Sequence, residues 1–309
     1  MKLIFYNSNN YAHKNNRESI ERMCKSCNID YEYTSNQNVV KTSAYDFLIC
    51  NDTYISPNDV PENVKIIYGP QFFVFPEGIF RSKYRPELKN KCVYNCLSEW
   101  VKTLYLEHVN GSDNFMIDIA PLPFGVNTEK FKPEPDTYKD IDCLIYYKSR
   151  KRNILDKVVN ILEKLNKTYK VISYGSYTEN EYINLLHKSK FMILVDRHES
   201  QGFAIQEAMS TNIPMIVLNA ESMFDETDSN DNSIYEKYKG KYNCYSTTVP
   251  YWSEKCGILT NSENFSEKDV IELTENLEKY SKGREYIEEV LSDKVCMERI
   301  INYFTPHFR

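Results

Sequence analysis

The sequence predicts an α/β protein built as two consecutive parallel-sheet domains. Three observations predict it. The chain has 309 residues, against about 150 for one domain. Short apolar runs alternate with segments of helical period through both halves, the mark of β-α units. Between the halves lies KPEPDTYKDID, residues 132–142, whose two prolines and six charges suit a linker. Residues 1–135 then form a first Rossmann-like domain, 136–285 a second, and 286–309 a C-terminal helix expected to pack back toward the first. Two such domains facing each other leave a cleft at the carboxyl ends of their strands, where ligands bind.

Each element has its own signal. KLIFY reads as a buried strand, followed by the polar NSNNYAHKNNRES and an amphipathic helix over SIERMCKSCN. YEYTS, DFLIC and VKIIYG read as strands, the last running into a turn at GPQFF. SEWVKTLYLEHV, residues 98–109, has helical period, with Ser98 placed to cap it. The pattern restarts with the strand DCLIYY and the amphipathic helix RNILDKVVNILEKLNKT. YKVISYG is a strand ending in Gly175, and TENEYINLLHKSK opens with a capping-box pair, Thr178 and Glu181. FMILVD is a strand, FAIQEAMST a short helix and MIVLN a strand beyond a proline. From Ser266 the tail reads as two or three helices, the last spanning Glu285 to Phe304.

Composition excludes several classes. With 41% hydrophobic and 27% charged residues the chain is globular rather than disordered. A net charge of −6 argues against a nucleic-acid partner, although KSRKR at 148–152 is a local basic patch. Nine cysteines, an odd number, point to reduced thiols and a cytoplasmic location rather than a disulfide framework. The segments carrying Cys24/Cys27 and Cys92/Cys96 read as helical and have no histidine beside them, so no zinc site is expected. The amino terminus lacks a signal-peptide core, and the longest aliphatic runs, such as FMILV at 191–195, are too short to span a bilayer. Peripheral membrane contact stays open.

The chemistry concentrates in HESQGFAIQEAMSTNIPMIVLN, residues 198–219. A strand delivers the chain to the loop RHESQG, which feeds the start of a helix. A helix start carries unpaired N–H groups and partial positive charge, a natural anion seat. Gly202 would let a phosphate approach the backbone. Ala204, Ile205, Ala208 and Met209 form the buried stripe, and Glu207 lies off it, toward the cleft. Carboxylates beside an anion site make sense if they bind hydroxyls, since one carboxylate can accept from both hydroxyls of a diol. Glu199 and Glu207 on either side of a diphosphate suit a nucleotide-sugar, ribose at one end and hexose at the other. A first-turn glutamate is also favoured by the helix dipole whatever its function. The second cluster, YYKSRKRN at 146–153, emerges from the carboxyl end of a strand, where Lys148, Arg150, Lys151 and Arg152 would neutralise a diphosphate. Taken alone it equally suits a solvated basic turn.

Three segments, in order, resemble the retaining nucleotide-sugar glycosyltransferases of the GT-B fold, family 4. LPFGVNTEKFKP at 122–133 is similar to that family's signature before the second domain, IYYKSRKRN resembles its basic strand end, and HESQGFAIQEAMSTNIPMIV resembles its pair of glutamates with seven residues between them. The clear resemblance covers residues 120–260. It implies transfer of a sugar from an NDP-sugar, UDP by family base rate, to a hydroxyl acceptor with anomeric retention. The acceptor would be a saccharide, a lipid-linked group or a protein.

The resemblance also implies roles. Glu199 would contact the donor hexose and Glu207 the ribose. Backbone N–H groups around Gly202, Phe203 and Ala204 would hold the diphosphate, and Ser200, Gln201 and Gly175 would complete the donor side. Lys148 and Arg152 would face the phosphates, with Arg150 and Lys151 as alternatives because this loop is shorter than the family's. No cofactor and no obligatory metal are implied, the basic cluster taking the metal's role. The sequence departs from the family in its first loop, where NSNNYAHKNN replaces a glycine-rich turn, leaving Asn9, Asn10 and His13 as acceptor-side candidates. YGPQFF lacks the histidine that often lies near the reacting sugar. His198, next to Glu199, either lines the site or faces solvent. A nucleotide-sugar epimerase of the same architecture, a non-catalytic sugar-nucleotide-binding protein and a degenerate partner subunit stay open.

Overall fold

The structure is a computed structural model and describes residues 1–7, 14–51, 54–70, 85–108, 115–222 and 245–305. Contacts divide the chain into two units, residues 1–127 with 290–309, and residues 128–289. The crossings fall at Asn127/Thr128 and Glu289/Val290, where the sequence reading drew its boundaries at 135 and 285.

The first unit is a six-stranded parallel sheet in the order β2-β1-β3-β4-β5-β6. The strands are β1 (Lys2–Tyr6), β2 (Asp30–Thr34), β3 (Phe47–Cys50), β4 (Lys65–Tyr68), β5 (Cys92–Asn95) and β6 (Asp118–Ala120). β3 and β5 are buried along their whole length, and in β3 this is why the sequence FLIC reads as an unbroken apolar run. Three helices accompany the sheet: α1 (Lys14–Ser26), α2 (Gln37–Thr42) and α3 (Glu99–His108).

Several elements differ from the sequence reading. The Cys92 segment is the strand β5, not a helix, with Val93 and Tyr94 fully buried. α1 starts well before SIERMCKSCN, because Asn16 finds a tertiary partner: its Nδ2 donates to Asn51 Oδ1 at 3.2 Å. Short α2 and edge strand β6 were not expected; α2 is held by an Asn36 cap rather than by periodicity. Ser98 does not cap α3: its Oγ is buried without a hydrogen-bond partner among the described residues. The turn before it is fixed by Asn95 instead, whose Oδ1 accepts from the Leu97 and Leu122 amides at 2.9 and 3.0 Å.

The second unit is a five-stranded parallel sheet in the order β11-β10-β9-β7-β8. Its strands are β7 (Ile141–Lys148), β8 (Tyr169–Ser173), β9 (Ser189–Asp196), β10 (Met215–Asn219) and β11 (Gly257–Asn261). Its helices are α4 (Arg152–Lys164), α5 (Glu179–Lys188), α6 (Phe203–Ser210), α7 (Glu267–Glu275), α8 (Leu277–Tyr280) and α9 (Gly283–Leu291). The capping box at Thr178 and Glu181 is present: the Thr178 hydroxyl accepts from the Glu181 amide at 3.2 Å, and the Glu181 carboxylate accepts from the Thr178 amide at 2.7 Å. Ile154, Leu155, Val158, Ile161 and Leu162 of α4 pack on Cys143, Ile145, Ile193 and Ile216 of the sheet, forming the core that fixes the strand ends.

The tail is not one helix from Glu285 to Phe304. It breaks at Ser292, whose hydroxyl caps a final helix, α10 (Asp293–Phe304), by accepting from Val295 N at 3.4 Å. Leu291 O at the break accepts from Val126 N at 2.9 Å. α10 packs on α1 within the first unit, as the sequence reading expected of the tail. The LPFGV segment docks here. Gly125 O accepts from Ser19 Oγ at 2.7 Å and Arg22 Nη2 at 2.9 Å, and a Cβ on Gly125 would fall 2.2 Å from Asp293 Oδ1. Phe131, from the same segment, is buried in the second unit beside Tyr182. Among the described residues no helix is long and apolar enough to cross a membrane.

Candidate functional site

In the second sheet β8 lies on one side of β7 and β9 on the other, so the order of strands reverses between β7 and β9. Ligands of open α/β sheets bind outside the carboxyl ends of the strands at such a reversal. Lys148 ends β7 and Asp196 ends β9, and the two are register partners across the ladder.

A compact charged cluster occupies this point. Lys148 Nζ is ion-paired with Glu199 Oε1 and lies 3.7 Å from Asp196 Oδ2. It also sits 4.6 Å from the centre of the Tyr174 ring, a cation–π distance. Burial holds the ammonium's pKa below its ordinary value, the Asp196 charge opposing and Arg197 adding to the shift. Asp196 is only 1% exposed, and burial pushes its carboxyl up to about 6 despite the opposing charges of Lys148, Arg197 and Arg150. His198 is buried, and burial with the Arg197 and Lys148 charges lowers its imidazole to about 3, so it is neutral at working pH.

The four basic candidates separate. Lys148 is in the cluster. Arg150 is fully buried and its Nη1 donates to the main-chain oxygens of Asp196 and, at 2.8 Å, Leu218, lacing together the ends of β9 and β10. Burial lowers its guanidinium to about 10, still charged. Lys151 is exposed at the α4 start. Arg152, its side chain 75% exposed, is ion-paired at 3.0 Å with Asp156 one helical turn on.

The loop from Asp196 to α6 is held from two sides. Glu199 N donates to Thr247 O at 3.1 Å, and Asn219 Oδ1 accepts from Thr247 Oγ1 and Thr248 N at 2.9 and 2.8 Å. Gly202 takes φ +83 at the head of α6, and a Cβ there would meet Ile205 Cδ1 at 3.1 Å and Glu199 Cβ at 3.4 Å. Gly202 gives α6 no side-chain cap and no acidic residue stands in its first turn, so the N–H groups of Phe203 and Ala204 are not satisfied by their own N-cap residue. Ala204, expected on the buried stripe, is half-exposed, whereas Ile205, Ala208 and Met209 are buried. Gln201 and Gln206 are buried and bonded to each other, Gln201 Nε2 to Gln206 Oε1 at 3.1 Å and Gln206 Nε2 to Gln201 O at 2.6 Å. Ser200 is half-buried.

Glu207 is half-buried, and its charge acts on Tyr177 and Tyr182. These belong to an aromatic cluster with Tyr146: Tyr177 OH donates to Tyr146 OH at 3.2 Å, and Tyr182 OH to Ala204 O at 2.6 Å. Gly175, φ +79, is an exposed turn residue with open space around it. The structure thus gathers Lys148, Glu199 and Gly202 at the start of α6, with Glu207 in the second turn of that helix beside Tyr177 and Tyr182. Asn9, Asn10 and His13, and the QFF of YGPQFF, lie outside the described residues. Sequence reasoning missed Asp196 and Tyr174. The signal for Asp196 lay in the sequence: an acidic residue closing the apolar run FMILV.

No protein-family model matches the chain, and no curated protein matches it. Solved structures do. The chain is similar to sucrose-phosphate synthase from Thermosynechococcus elongatus, with 9% identity, TM-score 0.56 and coverage of 98% of each chain. It is similar to the Anabaena protein HepE in complex with UDP, with 10% identity and TM-score 0.56 over 99% of this chain and 100% of that one. It is also similar to a mutant of S. aureus TarM in complex with fondaparinux, alpha-GlcNAc-glycerol and UDP, with 15% identity and TM-score 0.50 over 84% of this chain. This chain spans 55% of that TarM chain. At such identities the likeness shows the fold: GT-B, with two Rossmann-like α/β domains.

Proposed function

We propose that the protein is a glycosyltransferase that moves a sugar from an NDP-sugar, UDP-linked by preference, to a hydroxyl acceptor with retention of anomeric configuration. The observation that carries this reading is the gathering of Lys148 and Glu199 at the strand reversal beside a helix start whose N-cap is Gly202 at φ +83. The UDP bound to HepE and to TarM supports a uridine donor. In this reading the Phe203 and Ala204 amides receive the diphosphate, Glu207 the ribose hydroxyls and Glu199 the hexose. In the transfer step the bond from the anomeric carbon to the β-phosphate oxygen breaks, its electron pair staying on the phosphate. Lys148 and the α6 dipole stabilise that charge. The acceptor oxygen bonds the anomeric carbon, and its proton passes to the leaving diphosphate. The two glutamates do not act as a glycosidase pair, which must flank the scissile bond at a set separation.

A panel of UDP-, GDP- and ADP-sugars, followed by NMR for donor hydrolysis and for binding, tests the reading. Slow hydrolysis of one donor is expected, and Glu199→Ala should abolish it. Conversion of the donor to its epimer without loss of nucleotide would mean an epimerase instead. Binding of a donor with no turnover in any acceptor mixture would mean a non-catalytic binding protein.

A further inference from the structure

Among the described residues Asp196 is the only acidic side chain buried from solvent, and the donor roles above give it no task. It ends β9 directly opposite Lys148. One carboxylate oxygen, Oδ1, is fixed by the Arg197 amide at 2.7 Å, and the residue's main-chain oxygen accepts from Arg150. The other oxygen, Oδ2, lies 3.7 Å from Lys148 Nζ, close enough to attract the ammonium and too far to fix it by a hydrogen bond. With only 2% of its side chain exposed, Asp196 is out of reach of a ligand, whereas Glu199 is not.

This arrangement resolves a conflict in the proposed function. Glu199 is asked to bind a sugar hydroxyl and Lys148 a phosphate, yet the two are paired to each other. If Glu199 were the ammonium's only partner, donor binding would strand a largely buried cation until the phosphate arrived, and stranding a buried charge is costly. A second, fixed carboxylate removes that penalty. We propose that Asp196 is a positioning residue that shares Lys148 with Glu199, and that it keeps the ammonium at the strand reversal when Glu199 turns to the sugar. The donor part of this rests on the nucleotide-sugar reading; the hold on Lys148 does not.

The groups facing the Asp196 carboxylate come from every neighbouring element. They are Lys148 and Tyr146 on β7, Arg150 after it, Tyr177 after β8, and Arg197 on its own loop, where His198 and Glu199 follow and interact with Lys148. His198 titrates near 3 and the two phenols are pushed upward by burial. Asp196, pushed up to about 6, changes charge between pH 5 and 7.5.

The test has two arms. In the first, Lys148 reactivity toward acetic anhydride is followed by mass spectrometry against pH. Asp196→Asn should lower the ammonium's pKa and raise labelling at neutral pH about tenfold for each unit of the fall. Glu199→Gln, whose shape is conserved at a partly exposed position, should leave labelling within about threefold of wild type, because Asp196 still holds the amine. Unchanged labelling in a folded Asp196→Asn variant overturns the proposal, and so does a rise of tenfold or more in Glu199→Gln. The second arm uses UDP-glucose, whose diphosphate has no proton titrating near 6. Asp196→Asn should lower kcat about tenfold or more while leaving Kd no weaker than about threefold above wild type. Wild-type kcat should fall as pH drops through about 6, and the variant's should be flat there. An unchanged kcat, or a variant profile that keeps the acid limb, overturns the proposal. If the wild-type protein binds no NDP-sugar, the donor reading falls while the labelling arm still decides what holds Lys148.

Discussion

Replacing Gly202 by alanine tests the link from backbone to function most economically. Gly202 sits at φ +83, a region that costs an L-residue about 1–2 kcal/mol. The new methyl would meet Ile205 Cδ1 at 3.1 Å and Glu199 Cβ at 3.4 Å. The first is the free end of a flexible side chain and can give by a few tenths of an ångström, so the strain in φ dominates the stability cost. For a unit of this size each kcal/mol corresponds to about 2–4 °C, so Gly202→Ala should lower Tm by about 2–8 °C. Gly175→Ala, at φ +79 with nothing near its Cβ, should show the strain cost alone. The function follows from position: the methyl would press on Glu199 at the N-cap of α6, so UDP affinity should also fall about tenfold or more by titration calorimetry. Wild-type Tm together with wild-type UDP affinity would refute the argument that this turn needs a glycine to seat a diphosphate.

Other outcomes follow from neighbouring residues. Thr178→Ala removes the hydroxyl that caps α5 and should cost about 1 kcal/mol in urea unfolding, with no change in UDP affinity. His198 has an imidazole lowered from 6.5 to about 3 in the folded chain, so the native state binds fewer protons than the unfolded one across that interval. Stability from this group is whole above about 6.5 and is lost on acidification at up to about 1.4 kcal/mol per pH unit. Asp196, raised from 3.8 to about 6, works in the opposite sense and stabilises on acidification through that window. Urea midpoints at pH 7.5 and 5.0 should therefore show a shallower acid loss in His198→Asn and a steeper one in Asp196→Asn. Lys148→Ala should lower kcat/KM about a hundredfold or more, since it removes a cation aimed at the leaving group. Arg152→Ala, which loses an exposed partner of Asp156, should cost less than about tenfold, and EDTA should leave donor turnover unchanged.

The strands of the central sheets were legible because burial on both faces writes an unbroken apolar run, as in FLIC, FMILV and MIVLN. The capping box at Thr178 was legible because it is a local bond between residues three apart. What escaped was set by tertiary partners. Asn16 joins α1 through Asn51, and α10 separates from α9 where Leu291 is taken by Val126. β6 is an edge strand of three residues, too short for a pattern to build, and β11, GILTN, is an edge strand with only its first residue buried, so it writes no apolar run. The same division runs through the site. The helix start, Gly202 and the two glutamates carry a sequence signature. The burial of Arg150, its bonds to the ends of β9 and β10, and the sharing of Lys148 arise only when β7 is laid beside β9.

The most direct measurement is turnover of an NDP-sugar panel by the wild-type protein and by Glu199→Ala, read by NMR for free nucleotide and free sugar. The account predicts that one donor, UDP-linked, is consumed by the wild type with retained configuration in the product, and that the variant binds it without turning it over. No binding or turnover of any donor by the wild type, or near-normal turnover by Glu199→Ala, would contradict it.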